Sequence, residues 1–348
     1  MRVGIYTHYA HCDQAYFAVR LCDLLRKLDI DFEIYSDKQP GKIGSSYDKR
    51  IITKKNMSFT EWAKTKNAVI WTHAPRSEPI AYCKRRNIKT ILVPMWQDLF
   101  PPFRKSLRTA DFVVAMSAEC HMLFKDIYKV RNCVLIPFDT GLAPVKKTKG
   151  VNPRKIKLLL PWFDRNAKCT GGQFISILKF IVEYMEEAHL TVAITPSHFA
   201  PSIVKFFLNL QKRFPGRVSI LRGVPLNKRA EIYAAHDLSI IPAECDNYGL
   251  CALTSITMGT PVVTSAIPPQ TDFLFQDNNA ALIDTKVDYD ENGVVHALPE
   301  YEKFGFVLQQ LIAEPRLINV MNQKTNYNLN TRQHQFEKGW EELLDPPT

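Results

Sequence analysis

The sequence predicts an α/β protein of two Rossmann-like β/α domains, each a parallel sheet with crossover helices. Three observations predict this. The chain opens as strand, loop, helix, strand, the start of a doubly wound sheet. A basic stretch containing Pro and Gly at 145–155 carries five Lys or Arg and almost no apolar content, and the same alternation restarts beyond it. Finally, 218–266 reads as short apolar runs at 218–221, 238–242 and 261–265, separated by helical segments at 228–236 and 250–258. A length of 348 residues suits two domains at roughly 100–200 residues each.

In chain order, 3–7 is a buried-type strand and 8–14 a polar loop. A helix follows over 15–28, with Phe17, Leu21, Leu24, Leu25 and Leu28 on one face. Strand 32–35 closes the first unit. No GxGxxG follows the first strand, so no dinucleotide cofactor is expected. Residues 39–66 read as basic and irregular, with an amphipathic turn at 59–62. Strands at 68–71, 90–93, 112–116 and 133–137 alternate with helices at 80–86, 104–107 and 119–128. The second half gives strand 156–160, loop 161–172, helix 174–187, strand 191–195 and helix 201–214. After 266 come strand 280–283 and helices at 301–312, from 315, and at 335–343. The expected division is 1–150, 151–330, and a terminal helix in 331–348.

Composition narrows the partners. Residues 1–150 carry 26 Lys and Arg against 14 Asp and Glu, whereas the rest carries 19 against 21. The whole positive excess lies in the first half, which favours a polyanionic partner there, either nucleic acid or an anionic membrane surface. The eight cysteines show no CxxC pair or zinc spacing, so reduced thiols and no metal are expected. No stretch approaches the roughly 18 apolar residues of a spanning helix. The start, MRVGIYTHYA, has no signal-peptide layout, and a cytoplasmic location is expected.

The sharpest local signal is the loop ending in Asp246-Asn247-Tyr248-Gly249 before the helix at Leu250. A glycine lets the backbone approach a ligand, and a helix start offers N–H groups and partial positive charge, a seat for a diphosphate. Around it stand Gly223-Val224-Pro225, Ala230-Glu231-Ile232-Tyr233, Asp237 to Pro242, and Met258-Gly259-Thr260-Pro261-Val262-Val263. Together these resemble the donor-binding domain of family 4 glycosyltransferases of the GT-B fold, in which two Rossmann-like domains face a central cleft. Ala110 to Ser117, Ile136-Pro137-Phe138-Asp139 and Thr72-His73-Ala74-Pro75 are similar to segments of that family's first domain. The Trp340 helix resembles its segment that crosses back to the first domain.

The resemblance implies a retaining transfer of a hexose or pentose from a UDP- or GDP-linked donor, with no further cofactor. It implies Arg165 and Lys168 as cations on the leaving diphosphate, His73 at the edge of the transferred sugar, and Asp246 as acceptor from sugar hydroxyls. Asn247, Tyr248, Gly249, Leu250, Thr254 and Gly223 then bind the donor. His8, His11, Asp13, Trp96 and Asp98 are the acceptor-side residues. Two departures stand out. Thr254 occupies the place of the family's second glutamate, which holds the ribose, and the loop after the first strand offers His8, His11 and Asp13 instead of a Gly-Gly pair. The acceptor reading leans to a hydroxylated base in DNA, because scattered charge with aromatics suits a phosphate backbone. A lipid-linked or polysaccharide acceptor at a membrane face is the alternative, and a catalytically inactive nucleotide-sugar binder or an epimerase are further ones. Oligomeric state is left open.

Overall fold

The computed structural model describes residues 1–345 except 10–12, 37–44, 74, 96–100, 163–171, 195–200, 245, 247, 290–294 and 327. The chain divides into two compact units, Met1–Gly141 with Asn330–Thr348, and Leu142–Asp290 with Val295–Leu329.

The first unit is a seven-stranded parallel sheet. Its strands are β1 (Arg2–Tyr6), β2 (Asp31–Ser36), β3 (Ile51–Thr53), β4 (Ala68–Trp71), β5 (Lys89–Leu92), β6 (Phe112–Ala115) and β7 (Cys133–Leu135). They lie in the order β3-β2-β1-β4-β5-β6-β7. Helices α1 (Asp13–Lys27), α2 (Phe59–Ala63), α3 (Ser77–Arg85), α4 (Pro101–Thr109) and α5 (Ala118–Met122) connect them. Helices on both faces explain why β4, Ala-Val-Ile-Trp, is apolar throughout and wholly buried. Gly4 in β1 has no side chain for a packing reason, since a Cβ there would lie 2.6 Å from Trp62 of α2.

Two features differ from the sequence reading. The stretch read as irregular contains β3 and a capped α2. Ser58 accepts from the Glu61 amide while Glu61 accepts from the Ser58 amide, a reciprocal box that satisfies two orphan donors. The helix expected over 119–128 is α5 followed by a π-helical turn, Leu123–Ile127. There the Tyr128 amide reaches back to the Leu123 carbonyl at 3.0 Å.

The second unit holds β8 (Ile156–Trp162), β9 (Ala188–Ile194), β10 (Val218–Arg222), β11 (Leu238–Ile241), β12 (Val262–Ser265) and β13 (Ala280–Ile283). Their order is β10-β9-β8-β11-β12-β13, all parallel. Crossovers are α6 (Gly172–Tyr184), α7 (Pro201–Arg213), α8 (Leu226–Ala234) and α9 (Leu250–Thr257). The sheet is sealed by Leu158, Leu160, Val192 and Ile240 against Phe174 and Phe304. An antiparallel hairpin that the sequence reading did not single out, β14 (Thr285–Tyr289) with β15 (Val295–Pro299), precedes α10 (Tyr301–Ala313) and α11 (Pro315–Lys324). In both sheets the strand order reverses beside the first strand, next to β1 and next to β8. That switch point is where open α/β sheets bind ligands, at the strands' carboxyl ends.

The last helix, α12 (Leu329–Leu344), begins ahead of the expected Gln335, and from Asn330 it belongs to the first unit. Its Phe336 and Trp340 are fully buried with Phe17 and Phe138, ring centroids 6.0–6.4 Å apart. The basic stretch at 145–155 is also less loose than a linker. The Val145 amide donates to the Thr257 carbonyl at 2.8 Å, and Lys147 Nζ donates to the His236 carbonyl. Among the described residues, no helix is long and apolar enough to cross a membrane.

Candidate functional site

In the second unit the site is built at the turn from β11 into α9. Asp246 organises it. Its Oδ1 accepts from the amides of Tyr248 and Gly249 at 3.1 and 2.8 Å, and its Oδ2 accepts from Gln270 Nε2 at 2.9 Å. The carboxylate thus closes a tight Asx-type turn and is held in turn by a side chain from beyond β12. Gln270 is fully buried, while Asp246 itself is half-buried. Gly249 is the N-cap of α9, at φ 65°, ψ 26°, with no side chain capping the helix. Glycine is required twice there, for the left-handed backbone and because a Cβ would lie 2.6 Å from the Phe273 ring. The result is a fixed helix start, whose dipole and first amides favour negative charge in front of it.

Other residues expected to bind the donor fall around this turn. Tyr248 is buried at 1% exposure and Leu250 at 4%. Cys251 Sγ donates to the Pro161 carbonyl at 3.5 Å, which joins the first turn of α9 to the end of β8. Thr254 lies one turn along, 2% exposed, so a short hydroxyl stands in a closed position. Glu244 is buried and accepts from Tyr301 Oη at 3.3 Å. Gly223 follows β10 at φ 61°, with no atom of the described residues within 4 Å of where a Cβ would stand. Arg165, Lys168 and Asn247 lie outside the described residues.

In the first unit the carboxyl ends of β1 and β4 present His8 and His73. Fully buried hydroxyls of Thr72 and Thr7 hydrogen-bond at 2.8 Å, and the Thr72 amide donates to the Tyr6 carbonyl. These bonds set the two strand exits side by side. The imidazoles stack with centroids 4.4 Å apart and planes 13° from parallel, and the Tyr6 ring lies 5.3 Å from His73. Asp13 opens α1, but its side chain, like His11, Trp96 and Asp98, lies outside the described residues. Gln14, the next residue, donates from Nε2 to Met95 Sδ at 3.0 Å beyond β5.

The structure therefore gathers Asp246, Tyr248, Gly249, Leu250 and Thr254 at one helix start, and His8 with His73 at one sheet end. Sequence reasoning missed Gln270 and Phe273, which fix the turn from the far side. The Pro268-Pro269 pair after β12 marks a sharp turn that could have drawn attention to them.

No protein-family model matches the chain. Over 116 residues it is 31% identical to an uncharacterized glycosyltransferase of Sulfolobus islandicus rod-shaped virus 1, a match over 29% of this chain and 35% of that protein's length. Several solved structures match almost end to end. The pneumococcal O-GlcNAc transferase GtfA, solved with UDP and GlcNAc, has a TM-score of 0.75 at 10% identity, covering 99% of each chain. Sucrose-phosphate synthase from Thermosynechococcus elongatus has 0.70 at 14% identity, covering 99% of this chain and 98% of that one. HepE of Anabaena, solved with UDP and glucose, has 0.70 at 11% identity and 99% of each. At these identities the likeness is one of fold: two parallel-sheet Rossmann-like units, as in GT-B glycosyltransferases.

Proposed function

We propose that this chain, with the fold of GT-B glycosyltransferases, is a retaining glycosyltransferase that moves a sugar from a UDP- or GDP-linked donor to a hydroxyl acceptor. The observation that carries this is the start of α9, clamped by Asp246 and capped by Gly249. Such a seat suits the donor diphosphate because charge builds on that group as the glycosidic bond breaks, and preorganised donors stabilise it there. Arg165 and Lys168 supply the positive charge, the guanidinium as a bidentate clamp and the ammonium as a point charge. Asp246 holds the turn and offers its remaining lone pairs to sugar hydroxyls, while Thr254 gives the ribose a neutral contact. Gly223, Asn247, Tyr248 and Leu250 line the donor, and His73 meets the sugar's edge. The viral glycosyltransferase relative and the UDP-bound structural neighbours support the same reading.

For the acceptor we propose a hydroxylated base in DNA, flipped out of the duplex toward His8, His11, Asp13, Trp96 and Asp98. The positive excess of the first 150 residues supports a phosphate-backbone partner. One observation favours a second reading, a lipid-linked or polysaccharide acceptor at a membrane face. Met122 and Ile127 are 56% and 59% exposed and stand five residues apart across the π-helical turn, with exposed Lys125 and Lys129 nearby.

The test begins with UDP-, GDP- and ADP-sugars in a thermal-shift series, followed by transfer to duplexes containing hydroxymethylated bases. Stabilisation by a UDP- or GDP-sugar with labelled duplex product is expected. No stabilisation by any nucleotide-sugar would remove the transferase reading. Donor binding with neither hydrolysis nor transfer would leave an inactive binding protein. Binding to anionic vesicles but not to duplex DNA at low salt would move the acceptor to the membrane.

A further inference from the structure

A cavity of about 1230 Å³ opens at the opposite end of the first unit's sheet from His8 and His73. It lies at the amino ends of β4, β5 and β6, reaches along edge strand β7, and is walled by the last turns of α12. Ala68, Ile88, Phe112, Leu135, Ile136 and Leu343 make it apolar. Leu135 is 45% exposed. Gly339 brings α12 close to Ile136, since a Cβ there would stand 3.0 Å from it.

The polar lining sets Lys66, Lys84, Arg86 and Lys89 beside Asp111, Glu342, Asp345 and two asparagines, and most of these charges are already engaged. Asp111 Oδ2 accepts from the Thr90 amide and hydroxyl, both at 2.7 Å, and its Oδ1 lies 3.5 Å from Lys84 Nζ. Glu342 pairs with Lys338 at 3.6 Å. Lys66 is tied to Glu33 at 2.8 Å. Lys89 donates to the Leu343 carbonyl at 2.6 Å and stands 5.1 Å over the Phe112 ring, and its burial pushes its ammonium down from the usual lysine value. Asp345, at the end of the wall, adds one further carboxylate. Arg86, exposed on the rim, has an aromatic contact with Tyr82 at 5.8 Å and no ion pair among the described residues.

We propose that this cavity binds a single-chain amphiphilic anion, its alkyl chain on the apolar wall and its phosphate or carboxylate head on Arg86 and Lys84. Three arguments support this. The apolar surface that this wall leaves in water, chiefly at Leu135 with part of Phe112, costs about 25 cal/mol for each Å², and an alkyl chain removes that cost. The volume exceeds the roughly 300–1,000 Å³ of ordinary small-molecule pockets, which leaves room for a chain as well as a head. The guanidinium of Arg86 matches a phosphate or carboxylate through paired N–H groups, whereas a cationic head would meet Arg86 and Lys84 as like charges.

Calorimetry on the full chain tests this with three probes: dodecyl phosphate below its micelle concentration, dodecyl maltoside and inorganic phosphate. One-site binding of dodecyl phosphate is expected, about tenfold or more tighter than dodecyl maltoside, with no heat from inorganic phosphate. Arg86→Glu should abolish the preference for the charged head. Leu135→Glu should weaken both chain probes. Both positions are exposed, so circular dichroism and melting temperature should match the wild type. Equal affinity for the two chain probes, or wild-type binding by both variants, overturns the site. Flotation with phosphatidylcholine vesicles, with and without phosphatidylglycerol, separates the sources. Floating only with phosphatidylglycerol assigns the anion to a bilayer lipid, and calorimetric binding without flotation assigns it to a free amphiphile. Displacement of dodecyl phosphate by a duplex oligonucleotide would make the face a polyanion site and overturn the proposal. The readout is binding, so it stands or falls apart from the transfer reaction.

Discussion

Arg20 and Asp139 are 119 positions apart in sequence and meet in the buried first unit, where Nε and Nη2 of the guanidinium both donate to Oδ2, at 3.1 and 2.9 Å. The same oxygen accepts from the Gly141 amide at 2.9 Å, and Arg20 Nη2 lies 3.3 Å from Glu337 of α12. One ion pair therefore ties α1 to the exit of the first unit and to the returning helix. Removing Asp139 leaves the buried guanidinium with Glu337 as its remaining acid at 3.3 Å, so Asp139→Ala should lose on the order of 3 kcal/mol. Arg20→Met combined with Asp139→Leu should lose clearly less, because no charge is left unpaired. Urea denaturation followed by circular dichroism measures both. Equal losses would mean that the buried guanidinium is not the cause.

Gly249 and Gly223 share a left-handed backbone and differ in surroundings. Among the described residues Gly223→Ala meets no clash and only the backbone cost, on the order of 1 kcal/mol. Gly249→Ala adds a clash with Phe273, worth roughly another 1–3 kcal/mol, and should displace the start of α9. A lower melting temperature for Gly249→Ala than for Gly223→Ala is expected, with loss of UDP binding in the former. Equal melting temperatures would show that Phe273 moves aside freely.

Arg165→Ala or Lys168→Ala should each lower turnover on the order of 100-fold, by analogy with losing one donor to a developing anion. Steady-state rates with a nucleotide-sugar donor check this, and near-normal turnover would move the diphosphate clamp elsewhere. Thr254→Val removes one neutral hydrogen bond, so UDP affinity should fall by less than about tenfold.

Lys147 carries a pH dependence. Burial pushes its ammonium from 10.5 down to about 8. Below pH 8 the folded protein bears the whole cost of the desolvated charge. Between about 8 and 10.5 the unfolded chain holds more protons than the folded one, so stability contributed by this residue rises with pH across that window. Lys147 is half-buried, so the effect is on the order of 1 kcal/mol. Melting curves of wild type and Lys147→Met from pH 7 to 10.5 should show the wild type gaining on the variant. A constant difference would place the lysine's proton affinity at its ordinary value.

Much of this architecture is legible in the sequence because it rests on local periodicity. The strands and helices between Val218 and Ala266 appear within a few residues of where the apolar runs put them. The Ser58-Phe59-Thr60-Glu61 spacing fits a capping box, yet the sequence reading has this stretch as irregular with an amphipathic turn, because a five-residue helix is too short for periodicity to reveal. What else was not legible depends on distant partners. Asp246 carries the expected carboxylate, but Gln270 locks it from 24 positions away, and Phe273 makes Gly249 irreplaceable. The π-helical turn is equally silent, because its apolar residues fit an ordinary helix as well.

The return of α12 has a consequence for the order in which the protein is made. Domains usually fold as they leave the ribosome, the N-terminal one first. Here the first unit lacks Phe336 and Trp340 until synthesis has passed through the second, so Phe17 and Phe138 wait with an incomplete core. The unit translated first is the last to be finished, and during that interval its unclosed aromatic pocket is the surface a chaperone would guard.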